Sequence, residues 1–426
     1  MLSEETIKEA CEDFIKAALN LLNRNLAKGE PLLYRTIEDA EFQEGHLTKL
    51  FYRNELAFGS FVEKHKERIK GLTEFSRCIE LSKTLDVENF DEELLTLLVR
   101  IIKKRKEFGF DQRVFESIYS MFKDYLFSSE FIFRITAPLN SGCDVKDMDL
   151  GDGLKIRSIT DEELQELWRH SRFGAISRSD IPFLKHALEL EYTISKNSSL
   201  GTHQEKAEIL NDLITALRLF KRGGVSFNTY WVSPKGWASL SNLAFCESSM
   251  SSPKTSYGGG NYVLEEEPEI EQFQKFWRTF KETDFQSVPF LKMTIERFNF
   301  AYEKRSQEDK LIDYMISFES LFMKETQELR HRLSVRVSCF LKGKYSERKD
   351  LFSDFKKIYD IRSAIVHGES INHKYLKKLK VESLSELVSK VEELLRESIK
   401  KFIDLIDQDV NYNHKEFLDK LDLNNI

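Results

Sequence analysis

Apolar residues recur at helical spacing along most of the chain. Ile7, Phe14, Ile15, Ala18 and Leu22 share one stripe, which predicts an amphipathic helix with Ser3 as its N-cap. Leu94, Leu95, Leu98, Ile101 and Ile102 predict a second helix starting at Asp91, and Val114, Phe115, Ile118, Tyr119, Phe122 and Leu126 a third starting near Asp111. Short apolar runs then predict strands over 131–135 and 154–159, and Thr160 with Glu163 forms a capping box for a helix through Leu164, Leu167 and Trp168. Further on, the pattern predicts a helix over 205–220, a strand over 225–232, a Ser- and Gly-rich loop over 247–261, and a helix carrying Ile270, Phe273, Phe276, Trp277 and Phe280.

The last third reads as four or five helices. Leu291, Ile295, Phe298 and Tyr302 lead in, and Ser306 with Asp309 caps a helix that turns Leu311, Ile312, Met315, Ile316 and Phe322 inward. Thr326 caps the next, with Leu329, Leu333, Val337 and Phe340; another runs over 346–367 and stops at Gly368; Ser383 with Glu386 opens a long final helix. The helix breakers agree with this division. Residues 1–150 hold two Pro and six Gly, residues 151–289 five Pro and ten Gly, and residues 290–426 no Pro and two Gly. The expected fold is therefore mainly α, with a mostly helical region 1–150, a small α+β region 151–289 and a helical bundle 290–426. No internal repeat or long heptad run is present.

Composition narrows the class. With 41% apolar residues and 33 Phe, the 426-residue chain has material for real cores. No apolar run approaches the ~20 residues that span a bilayer, and the first residues lack the basic-then-apolar pattern of a signal peptide. Five widely spaced cysteines without a CxxC pair fit neither a disulfide framework nor a zinc site, so the expectation is a reduced, cytoplasmic protein with no membrane partner. The net charge of −7 argues against indiscriminate coating of nucleic acid, but it is unevenly distributed: residues 1–303 carry 40 basic and 49 acidic side chains, residues 304–426 carry 24 and 22.

Familiar catalytic signatures are absent: no GxSxG elbow, GxxxxGK phosphate loop, HExxH or strand-borne GxGxxG occurs. Two C-terminal features remain. Residues 329–349 carry Arg330, Arg332, Arg336, Lys342, Lys344, Arg348 and Lys349 against Glu347 alone. Such a stretch suits a phosphate backbone, and equally a solvated helix face. Just beyond it, Arg362 is followed after four residues by His367, at a predicted helix end. An Arg pairing with Asp360 or Glu369 and a His before a stop glycine are also ordinary features of a bundle.

Three blocks in order raise the second feature above its spacing: Asp309-Lys310-Leu311-Ile312-Asp313-Tyr314 with Phe318-Glu319-Ser320-Leu321-Phe322; Leu329-Arg330-His331-Arg332-Leu333; and Tyr359-Asp360-Ile361-Arg362-Ser363 with Val366-His367-Gly368. Together they resemble the Apea-like HEPN domain, over roughly residues 305–410. The resemblance implies a HEPN-type helical bundle and, in many members, a metal-independent endoribonuclease that needs no cofactor. It would make Arg362 and His367 the catalytic pair, Ser363 the polar residue that follows the Arg, and Glu319 the acidic residue that orients Arg362. It also implies RNA as substrate, homodimerisation through the bundle, and a toxin or antiviral setting in which residues 1–290 sense an unknown trigger. A non-catalytic HEPN module for dimerisation and RNA or protein binding is the alternative. The chemistry is sound, because histidine exchanges protons near neutrality and arginine stays charged while gripping phosphate. In an ideal helix, however, five residues separate two side chains by about 140°. Arg362 and His367 then converge only if the last turn unwinds near Gly368 or the Arg side chain wraps around; the resemblance implies a dimer in which two Arg–His pairs face one cleft.

Overall fold

The computed structural model describes residues 4–83, 85, 89–170, 176–195, 200–235, 237, 260–324, 327–371, 373–409 and 412–423. The predicted caps Ser3 and Thr326, and the predicted loop 247–261 apart from its last two residues, lie outside them. The described chain is mostly helical with a small sheet region.

Helix α1 (Glu4–Ala27) buries the stripe Ile7, Phe14, Ile15, Ala18 and Leu22. A two-stranded antiparallel hairpin follows, β1 (Tyr34–Gln43) and β2 (His46–Leu56), which the apolar pattern does not predict. Its two-residue turn places both Glu44 and Gly45 at positive φ, the geometry that matches strand twist. Gly45 is needed for a second reason: a Cβ there would stand 2.9 Å from the Pro182 carbonyl oxygen. Helices α2 (Phe58–Lys64), α3 (Lys66–Lys70), α4 (Thr73–Ser82), α5 (Phe90–Arg105) and α6 (Gln112–Phe127) complete the N-terminal part. Helix α5 opens on Asp91, Glu92 and Glu93 and closes on Lys103, Lys104 and Arg105, each set opposing the helix dipole at its end. Asp111 caps α6 by accepting the Val114 N–H at 3.0 Å. These helices bury a Phe-rich core that also takes in Trp237.

The middle region is a five-stranded antiparallel sheet. Strands β3 (Glu130–Pro138), β4 (Cys143–Val145), β5 (Met148–Gly151) and β6 (Leu154–Ser158) precede α7 (Asp161–His170), which Thr160 and Glu163 open with a reciprocal capping box. Strand β7 (His186–Ser195), α8 (Leu200–Phe220), β8 (Trp231–Pro234), β9 (Tyr262–Leu264) and α9 (Glu267–Glu282) follow, with sheet order β5-β6-β7-β3-β8 and a separate parallel pair β4-β9. The strand predicted over 225–232 shrinks to its last residues. Upstream, the ladder reduces to a single antiparallel bridge between Leu139 and Phe227, and side chains supplement it: Asn140 accepts the Ser226 N–H at 2.8 Å and donates to the Gly224 carbonyl at 2.7 Å, and Arg218 donates to the Val225 carbonyl.

Seven helices finish the described chain: α10 (Pro289–Glu303), α11 (Gln307–Phe322), α12 (Leu329–Leu341), α13 (Tyr345–Val366), α14 (His373–Lys378), α15 (Leu384–Gln408) and α16 (His414–Asp422). The short α14 and α16 exceed the expected four or five. Ser306 and Ser383 cap α11 and α15 as their sequences predict. One apolar core runs from the sheet (Ile135, Leu188) through α8 and α9 (Leu217, Trp277) into the bundle (Phe318, Phe355, Phe402), so it crosses residue 289 without a break. No helix among the described residues is long and apolar enough to cross a membrane.

Candidate functional site

Helix α13 carries the Arg–His motif, and α11 packs beside it. Leu351, Phe355, Ile358 and Ile361 are buried on the inner face of α13, which brings Tyr359 and Arg362 to its flank. There Arg362 faces Glu319 of α11, with a guanidinium nitrogen 3.7 Å from the carboxylate. That distance is an ion pair but too long for a hydrogen bond. Arg362 Nε and Glu319 Oε1 are both buried and find no hydrogen-bond partner among the described residues. Burial pushes the Glu319 carboxyl above its ordinary pKa, while Arg362 and a hydrogen bond from the Tyr359 hydroxyl pull it back. The same burial and the same carboxylate raise Tyr359, whose ring lies 5.7 Å from the Arg362 guanidinium. Glu319, Tyr359 and Arg362 are therefore a half-buried constellation with donor and acceptor capacity unspent.

His367 sits elsewhere on the helix end. The last turn of α13 does not unwind: the His367 N–H still bonds the Ser363 carbonyl at 3.1 Å. Gly368, at φ +73°, then donates to Ile365, and the Glu369 N–H to Ala364, the paired bonds that close a helix on a left-handed residue. The imidazole is exposed, next to the half-exposed Val366. It makes no hydrogen bond with another described residue, and the turn of about 140° between positions 362 and 367 stands. Ser363 is part-buried one residue past Arg362. The chain thus groups Glu319 with Arg362 and leaves His367 apart, open to an incoming partner.

The basic stretch divides. Arg336 is a correction: it is fully buried, donating to Asp422 of α16 at 2.8 and 2.7 Å and to the Phe322 carbonyl at 2.6 Å, so it faces the interior and not an RNA. It lies three residues after Leu333 and beside Val337, inside the inward stripe of α12, a signal that charge counting overrides. Arg330 grips Asp360 with two nitrogens, at 2.6 Å each, and ties α12 to α13. Arg332 lies 3.8 Å from Glu328, and Arg348 donates to the Lys342 carbonyl at the end of α12. Lys344 and Lys349 are exposed and Lys342 is half-exposed, so a reduced basic edge remains at the start of α13. Tyr359, part of the motif, is the site residue to which spacing assigns no role.

No family model, curated protein or solved structure matches this chain.

Proposed function

We propose that the C-terminal bundle is a HEPN-type, metal-independent endoribonuclease that acts as a homodimer on cytoplasmic RNA, in a toxin or antiviral role. The observation that carries this reading is the loose Arg362–Glu319 pair: a guanidinium held by charge at 3.7 Å, with its Nε–H unspent. Glu319 aims Arg362, which binds the scissile phosphate and stabilises the charge that grows on it. His367 takes the 2′-hydroxyl proton as that oxygen attacks phosphorus. A second His367, from the partner copy, protonates the departing 5′ oxygen as its bond to phosphorus breaks, leaving a 2′,3′-cyclic phosphate and a 5′-hydroxyl. The exposed position of His367 suits a cleft shared between two copies, because one chain does not bring it to Arg362. Lys344 and Lys349 would guide the RNA backbone.

The same separation favours a second reading, a non-catalytic HEPN module that dimerises and binds RNA or protein. Incubating the protein with mixed RNA in EDTA decides between them. Cleavage that persists in EDTA and disappears in both Arg362→Ala and His367→Ala supports the nuclease; RNA binding without cleavage in a proven dimer supports the module.

A further inference from the structure

A cleft of about 600 Å³ opens at the base of the N-terminal hairpin, between the start of β1, the end of β2, the first residues of α2 and the end of α5. That volume is in the range of about 300–1,000 Å³ typical of small-molecule sites. Its floor is apolar and buried, formed by Ala57 and Phe58. Its rim is neither. Tyr34 stands 66% exposed on one wall, a large aromatic surface held away from any core. Arg35, Lys103 and Lys106 face the cleft against Glu55 alone, in a segment (1–150) with 22 basic and 28 acidic side chains.

These cations are only lightly engaged within the described residues. Glu55 is taken by Arg53 at 3.0 Å and reaches Arg35 only at 3.9 Å. Lys103 and Lys106 are exposed and make no ion pair among the described residues. Lys103, Lys104 and Arg105 already offset the carbonyl end of α5, so Lys106 is not needed for that task. Lys106 also occupies the left-handed position that ends the helix, at φ +60°, where glycine or asparagine is the ordinary choice. The Asn54 amide at the cleft accepts from the Thr36 hydroxyl through its oxygen, which leaves its NH₂ to donate.

We propose that this cleft binds a phosphorylated nucleoside, with the base against Tyr34 and the phosphates on Lys103, Lys106 and Arg35. A flat exposed aromatic beside a cluster of cations suits a base joined to phosphate, because rings stack on any base while ammonium and guanidinium groups neutralise the phosphates. The proposal goes beyond the nuclease reading and does not depend on it. A free nucleotide and the phosphorylated end of an RNA share this chemistry.

Calorimetric titration of the full chain distinguishes them. ATP, GTP, CTP, UTP, a 5′-phosphorylated trinucleotide and tripolyphosphate are each titrated into the His367→Ala protein, which should leave RNA uncut. At least one nucleotide, or the trinucleotide, is expected to bind one to one, and the tighter arm identifies the source. Lys106→Gly should weaken that binding at least tenfold while the unfolding temperature holds or rises, because glycine suits the left-handed backbone. Tyr34→Ala should weaken it at least fivefold and leave tripolyphosphate unchanged. Absence of binding in every arm overturns the proposal, as does binding indifferent to both variants. Tripolyphosphate binding as tightly as the nucleotides, with no effect of Tyr34→Ala, overturns the base-recognition part and reduces the cleft to an anion site.

Discussion

Replacing Arg336 by Ala tests the reassignment of this residue from RNA contact to internal strut. The side chain is wholly buried and makes charge-assisted bonds to Asp422, through two nitrogens, and to the Phe322 carbonyl. Removing one partner of a buried ion pair costs about 3–5 kcal/mol, and leaving a buried carbonyl unsatisfied about 1–3 kcal/mol. The Asp422 side chain is 32% exposed and recovers part of its hydration, which lowers the first figure. A net destabilisation of about 2–4 kcal/mol follows, or a fall of about 4–16 °C in the unfolding temperature at about 2–4 °C per kcal/mol. Thermal unfolding followed by near-ultraviolet circular dichroism measures it. RNA affinity as a function of salt supplies the second readout, since each phosphate that a variant no longer neutralises on a single strand lowers the slope by about 0.7. Below its melting transition Arg336→Ala should keep the wild-type slope, whereas Lys349→Ala should lower it with stability unchanged. An Arg336→Ala protein that melts with wild type but has a shallower salt slope would refute the reasoning.

At the site itself, Arg362→Lys should cut RNA at least tenfold more slowly than wild type, since an ammonium lacks the planar fork; gel assays in EDTA with a 5′-labelled RNA measure the difference. Glu319→Gln should lose activity while gaining stability at neutral pH. The folded carboxyl has a raised pKa, so the folded state binds more protons than the unfolded one above the ordinary carboxyl pKa, and stability falls as pH rises through that window. Gln removes this fall, and a wild-type pH–stability profile without it would count against the buried placement of Glu319. His414 works in the opposite direction, being pushed down to about 4 by burial, with Lys324 and Arg336 adding to the shift. The folded state then stays neutral while the unfolded state protonates near pH 6.5, so stability present above that pH is lost on acidification toward 4. His414→Phe, which keeps the stack on Phe290, should flatten this acid limb in melting curves taken between about pH 4 and 6.5.

Features decided by local spacing are legible in the chain. The stripes of α1, α5, α6 and α13 and the caps Asp111, Thr160, Ser306 and Ser383 all depend on residues within a turn or two of one another. Features decided by distant partners are not. Strand β2 is almost wholly exposed, so it shows no alternation of buried and exposed positions, and its turn uses Glu-Gly instead of the stronger Asn-Gly signal. The shortened β8 reflects Asn140 and Arg218, which are distant in sequence or on another element and satisfy backbone groups that one isolated bridge leaves over. Arg336 sits in a run of basic residues whose charge density masks the inward period of α12. The facing of Glu319 and Arg362, which the HEPN resemblance implies, is set by the packing of α11 beside α13. The position of His367 does not follow, since a regular last turn carries it away from Arg362.

The sheet region and the bundle are joined through buried polar contacts. Arg396 of α15 is fully buried, donates to the Arg218 carbonyl of α8 at 2.8 Å, and binds Glu392 and, at 3.1 Å, the Tyr302 hydroxyl of α10. Arg218, also fully buried, lies 4.5 Å from the Tyr302 ring and donates to Asn299. Opening this seam would break the Arg396 bond to the Arg218 carbonyl and part the buried Arg218 guanidinium from Asn299 and the Tyr302 ring, while Arg396 keeps Glu392 on its own helix. A hinge between the sheet and the bundle would therefore have to break these buried polar contacts. The N-terminal helices, by contrast, bury a core separate from the one that the sheet and the bundle share.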